Sequence, residues 1–274
     1  MDITNYRVDE DLVFLQKTPD EYMKILVDIL TKDKDGETRL TEELTATEDY
    51  KRWYYSEKPW REKSPDLWKL VSAELQYFGA NTLASMFRGS GVLYKEILCD
   101  VSKSLKVKFD ENSSTDLIET HLLNKVLADT VEKMKKENPE ELNDFLKEFG
   151  LTSGEILKDV GTTSATTIAI AIQTAISLGG IKAYLILNTI IHATARAILG
   201  HGLPFAATAP IMKWVSVFAG PIGWTISGIL TAIWIATPAM RVTIPAVITV
   251  ACLRRLQQLN PKGIPQLSQQ NPHS

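Results

Sequence analysis

No aspartate or glutamate occurs after Asp159. From Gly161 to Cys252 the charged residues are Lys182, Arg196, Lys213 and Arg241, and an uncharged run of 27 residues extends from Trp214 to Met240. Helices this apolar cannot each keep a solvated face, so they must be buried against the rest of the chain or against a bilayer. A straight helix of that length would span about 40 Å, more than the ~30 Å hydrocarbon core of a membrane. The run is interrupted at Gly220-Pro221-Ile222-Gly223. Proline removes a backbone donor and glycine is a poor helix former, which predicts a helical hairpin turning at Gly220, Pro221 and Gly223.

Charge divides the chain at the same place. All 33 acidic residues and 23 of the 30 basic ones lie in 1–159, a net of −10, and the remaining seven basic residues give the rest +7. The expected organisation is an acidic helical domain over 1–159, an apolar basic region over 160–258 and a disordered tail over 259–274, whose prolines and amides cannot build a core. A basic, apolar half suits an anionic membrane surface, whereas the acidic half repels nucleic acid. Cys99 and Cys252, 153 positions apart in apolar helical patterns, read as buried free thiols rather than a disulfide. Met1-Asp2-Ile3-Thr4-Asn5 lacks the apolar core of a secretory signal. Membrane contact is therefore expected from the cytoplasmic side.

Helical spacing persists throughout, and no strand alternation does, so the fold class is all-α. Leu12, Val13 and Leu15 mark a short helix over 9–16. Thr18-Pro19-Asp20-Glu21 has the spacing of a capping box before a helix with Tyr22, Ile25, Leu26, Ile29 and Leu30 on one stripe. Asp33, Asp35, Gly36 and Glu42 are spaced somewhat like a calcium loop, but Thr31 and Arg39 fall on ligand positions, so a solvated turn is expected. The aromatic residues Trp53, Tyr54, Tyr55, Trp60 and Trp68 read as a seam between helices rather than a base-stacking surface. Further helices are expected after Ser64-Pro65, from Asn81 to Arg88, around Leu93–Leu105, from Thr115 to Glu137, and from Asn138-Pro139 to Gly150. Gly89-Ser90-Gly91 lacks the ending of a phosphate-binding loop and reads as a tight turn. Beyond Gly161, breaks are expected at Gly179-Gly180 and Gly200-His201-Gly202, and the last helix, Ile244–Leu256, reads as amphipathic.

Long strings carry a family resemblance. They are Glu74-Leu75-Gln76-Tyr77-Phe78-Gly79 with Arg88-Gly89-Ser90-Gly91, Leu98-Cys99-Asp100-Val101-Ser102-Lys103, and Leu199-Gly200-His201-Gly202. Gly220-Pro221-Ile222-Gly223, Arg241-Val242-Thr243-Ile244-Pro245-Ala246-Val247 and Ala251-Cys252-Leu253-Arg254-Arg255 complete the set. Through these, nearly end to end, the chain resembles the YaaW-like family of uncharacterised bacterial proteins. The resemblance implies no transferable activity. Its loose grouping with ubiquinol–cytochrome c chaperones implies helical segments of similar kind. The chain departs from the family in its more apolar 205–240 region and its polar tail.

No catalytic, metal-binding or cofactor-binding constellation is legible. His121, His192, His201 and His273 lie in no catalytic string, and two cysteines cannot make a zinc ribbon. His192 and Arg196, four apart on one helix, are candidates for a lipid phosphate or for contact with the acidic half. His201, Arg241, Arg254 and Arg255 are further candidates for headgroup or interdomain contact. The expected function is that of a non-enzymatic membrane-associated protein with a conditionally inserting hairpin, comparable to colicins in architecture alone. The expected site is the cytoplasmic face of a bacterial inner membrane. The alternative is a chaperone-like assembly factor or protein-binding module, and oligomers fit either reading.

Overall fold

A computed structural model describes residues 6–33, 35–39, 43–80, 92–152, 160–199, 209–232 and 239–261. Eleven α-helices and no strand occur among them, with one isolated antiparallel bridge, Lys32 to Thr38. The helices are α1 (Asp20–Thr31), α2 (Glu48–Tyr54), α3 (Trp60–Lys63), α4 (Leu67–Ala80), α5 (Tyr94–Ser104) and α6 (Thr115–Glu137). After these come α7 (Pro139–Glu148), α8 (Ala165–Leu178), α9 (Gly180–Leu199), α10 (Ala209–Ala232) and α11 (Met240–Leu259).

Local chemistry sets most of the boundaries. Ser114, Ser164 and Thr47 cap α6, α8 and α2, each side chain accepting a backbone N–H three residues on. Pro139 stands at the first position of α7, and Gly150 at φ +65° ends it, with Leu151 N–H donating to Leu146 O. Gly179 and Gly180, both at φ +75°, separate α8 from α9. Helix α5 closes in the same way on Lys106 at φ +55°, and Val107 N–H reaches Ser102 O. A side chain in that conformation is strained, so Lys106→Gly should raise stability by up to about 1 kcal/mol in chemical denaturation. No gain would mean that the lysine makes an offsetting contact.

Other local expectations fail for tertiary reasons. The residues around Leu12 form a 3₁₀ turn, Val13–Lys17, rather than an α-helix. The capping box at the start of α1 does not close: Pro19 is the capping residue and no side chain caps. Asp20 instead accepts from the Trp53 indole at 2.8 Å and the Trp60 N–H at 2.6 Å. Trp53, Trp60 and Trp68 are buried, as befits a seam between helices, while Tyr55 is exposed. Asp33 folds a turn by accepting from Asp35 and Glu37 N–H.

The predicted hairpin is corrected. Gly220, Pro221 and Gly223 lie inside the single helix α10. A proline interior costs one intrahelical hydrogen bond, roughly 3 kcal/mol, and tertiary packing offsets it. Trp214, Phe218 and Ile222 are buried along this helix, and a Cβ at Gly223 would lie 3.1 Å from Ala197 Cβ of α9. Gly223 thus serves a close approach of helices, not a turn. Among the described residues no helix is long and apolar enough to cross a membrane.

Helix α11 is also not amphipathic. It begins at Met240, before the expected start, and from Val242 to Leu253 every residue is buried. It packs against α1, α4, α5, α6, α9 and α10. Apolar side chains from both sides of the charge boundary join one core. Among its polar members, Tyr22 of α1 donates to Asn188 Oδ1 of α9 at 2.7 Å, and Asn188 donates to Tyr184 O. Residues 81–91, 153–159, 200–208, 233–238 and 262–274 lie outside the described residues. The expected 81–88 helix, the Gly89-Ser90-Gly91 turn, the Gly200-His201-Gly202 break and nearly all of the tail fall there.

Candidate functional site: a buried ion-pair node and an uncharged helix face

A dense polar cluster sits where α11 meets the N-terminal segment. Arg254 donates from Nε to Glu119 Oε2 of α6 at 2.8 Å and from a terminal nitrogen to Asp11 O at 2.6 Å. Its guanidinium lies over the Phe14 ring at 4.5 Å, a cation–π contact. Tyr94, the first residue of α5, donates to the other Glu119 oxygen at 2.7 Å. Glu119 and Tyr94 are both buried. Burial pushes the Glu119 carboxyl up, against the charge of Arg254 and the hydrogen bonds from Tyr94 and Arg254. Burial also drives the Tyr94 phenol well above its ordinary value.

Around this node the N-terminal segment supplies carboxylates to the starts of three helices. Asp9 Oδ2 accepts from Tyr94 N–H of α5 at 2.6 Å, and Asp11 Oδ2 from Thr115 of α6 at 2.7 Å. Asp20 takes the Trp60 N–H at the start of α3. A carboxylate at a helix N-terminus meets unsatisfied N–H groups and the positive end of the helix dipole. Arg255 donates to Thr120 of α6 at 3.0 Å. Arg254 and Arg255 therefore both engage the acidic half.

The second feature is at the surface. Helix α8 carries no charged residue. Leu178 at its end is 83% exposed, and Ile170 and Ile181 are each 55% exposed. Leu178 and Ile181 flank the Gly179-Gly180 corner, followed by exposed Lys182. The Lys182 ammonium lies against the end of α7, where a Cβ on Gly150 would meet Nζ at 2.6 Å. That position suits a cation near helix carbonyls.

The remaining candidates are dispersed. His192 is buried in α9 with Nε2 unpartnered, and Arg196, one turn on, donates to Ser216 of α10 at 2.8 Å. They share a helix face, with His192 buried and Arg196 directed to α10. Arg241 is exposed in the first turn of α11, and His201 lies outside the described residues. Cys99 and Cys252 are free and buried. Among the described residues no His, Cys, Asp and Glu side chains group as metal ligands. Sequence reasoning missed Glu119, Tyr94, Asp9 and Asp11. For Glu119 a signal existed: it stands four residues before Leu123 on the stripe that α6 buries.

These features define an all-α protein with a buried ion pair between Arg254 and Glu119 and an uncharged, partly exposed helix. The chain belongs to the UPF0174 family of bacterial proteins. It is 39% identical over 256 residues to a UPF0174 protein of Helicobacter pylori, covering 93% of this chain and 95% of the relative. It is 34% identical over 258 residues to the UPF0174 protein YaaW of Escherichia coli, covering 92% and 96%. A domain of unknown function, DUF3944, matches residues 6–40. In this fold that stretch is the strap that supplies Asp9, Asp11 and Asp20 to the starts of α5, α6 and α3. No solved structure matches the chain.

Proposed function

We propose that the protein is a non-enzymatic helical protein that associates with an anionic bilayer through the α8–α9 corner, at the cytoplasmic face of the inner membrane. The observation that carries this reading is the exposure of Leu178 and Ile181 on either side of Gly179-Gly180, with Lys182 beside them. Apolar side chains at a tight corner can enter the headgroup region, and a neighbouring lysine gains on the order of 1 kcal/mol at an anionic surface. Helices α8 to α11 contain no carboxylate to oppose that approach. The acidic residues before 160 would turn their side away from the same surface.

Flotation with vesicles tests the reading. The protein should float with phosphatidylglycerol-containing vesicles and much less with neutral phosphatidylcholine. Leu178→Asp with Ile181→Asp should weaken binding at least tenfold, the equivalent of 1.4 kcal/mol, without altering the fold. Equal flotation of variant and wild type, or none by either, would sink it. Thr166, Thr174 and Ser177, exposed beside Ile170, favour a second reading in which α8 docks on a protein, as in an assembly factor. In that case the double variant loses a protein partner while vesicles are ignored.

A further inference from the structure

We propose that His192 is an acid trigger whose protonation loosens α9 from the helices packed on it and exposes the apolar half. As regulation of membrane contact, it rests on the function proposed above. As a property of the fold, it stands on the surroundings of the imidazole. Helix α9 packs chiefly against α1, α8, α10 and α11. His192 is 6% exposed, and Nε2 finds no hydrogen-bond partner.

Among the described residues of the helices packed on α9, a cation formed there would meet no free counter-ion. Helix α8 has no charged residue, α10 carries Lys213, and α11 carries Arg241, Cys252, Arg254 and Arg255. Helix α9 itself adds Lys182, Tyr184 and Arg196. Carboxylates come from α1, and they are engaged elsewhere. Asp20 holds Trp53 and Trp60, and Asp28 holds Tyr54 and Lys32. Glu21 has an interaction of its own, and its charge also raises the phenols of Tyr22 and Tyr184. Also on α1, Lys24 lies over the Tyr54 ring, and Tyr22 is bonded to Asn188. Burial is the one cause that moves His192, and it pushes the imidazole from 6.5 down to about 4.

The sign follows from linkage. Well above pH 6.5 the imidazole is neutral whether α9 is packed or open. As pH falls from 6.5 towards 4, the open state takes a proton that the packed state refuses, so packing is progressively lost. A shift of that size favours opening by up to about 300-fold. Glu119 acts in the opposite direction. Its carboxyl is raised by burial, so the packed state takes that proton first and acid does not favour opening through it.

The experiment uses the full chain without lipid. Amide exchange of α9, corrected for intrinsic rates, and binding of an apolar dye are followed from pH 7 to 4.5. The opening equilibrium of the wild type should rise by roughly 60-fold, while His192→Gln and His192→Phe should stay nearly flat. The imidazole resonance absent from His192→Gln should titrate below pH 5 in the folded wild type. Opening at the same pH in both variants, or titration near 6.5 without opening, would overturn the trigger. Vesicles are added afterwards. Acid opening without vesicle binding at any pH would leave the trigger in place and remove the membrane reading instead.

Discussion

Replacing Arg254 by alanine is expected to destabilise the protein by about 3–5 kcal/mol, because removing one partner of a buried pair leaves the other uncompensated. The abandoned group is Glu119, 3% exposed and facing Tyr94. The substitution also removes the donor to Asp11 O and the cation over Phe14. Denaturant midpoints at pH 7 give the cost. The double variant Arg254→Met with Glu119→Leu should lose at least 1 kcal/mol less than the two single losses added, since an apolar pair of similar volume restores compatibility. A cost below 1 kcal/mol for Arg254→Ala would show that α11 is held by apolar packing alone.

The second large effect is expected at Phe145. This side chain of α7 is 1% exposed and touches three aromatic rings. Phe149 lies 4.6 Å away between centroids, Trp214 5.2 Å and Phe218 4.7 Å. Trp214 and Phe218 belong to α10, so the cluster joins a helix of the acidic half to one of the acid-free half. Phe145→Ala should cost about 3–5 kcal/mol from lost transfer energy and the cavity left behind. The loss should concentrate in α10, which must also carry Pro221 in its interior. Amide exchange should therefore quicken over 212–223 more than over α1. Uniform quickening across all helices would show that α10 has no separate dependence on the aromatic joint.

Much of the fold could be read from local rules, because local rules govern helix ends. The start of α6 at Thr115, the proline that opens α7, the stop at Gly150 and the break at Gly179-Gly180 each depend on a few adjacent residues. The errors arise where a distant group intervenes. Asp20 serves two tryptophans from later in the chain, so the Thr18 motif has no capping role. Gly220-Pro221-Ile222-Gly223 reads locally as a turn, and contact with α9 carries the helix through it. Arg254 was legible as a contact between the halves, but its partner Glu119 is 135 residues away, and periodicity does not name partners at that distance. The exposed corner was hidden for a related reason. Leu178 and Ile181 resemble their buried neighbours in composition, and exposure is decided by packing rather than residue type.

The place of α11 among α1, α4, α5 and α6 has a consequence for synthesis. A ribosome that has released α1 must add everything from Lys32 to Met240 before the helix that covers its inner face begins to emerge. At 5–20 residues per second that interval is on the order of 10–40 s. Through it, the part of α1 that packs on α11 in the finished fold has nothing of that helix to meet. A nascent chain of this kind depends on whatever shelters apolar surface near the ribosome, and a transcript cut short before codon 240 yields a product whose first helices remain uncovered.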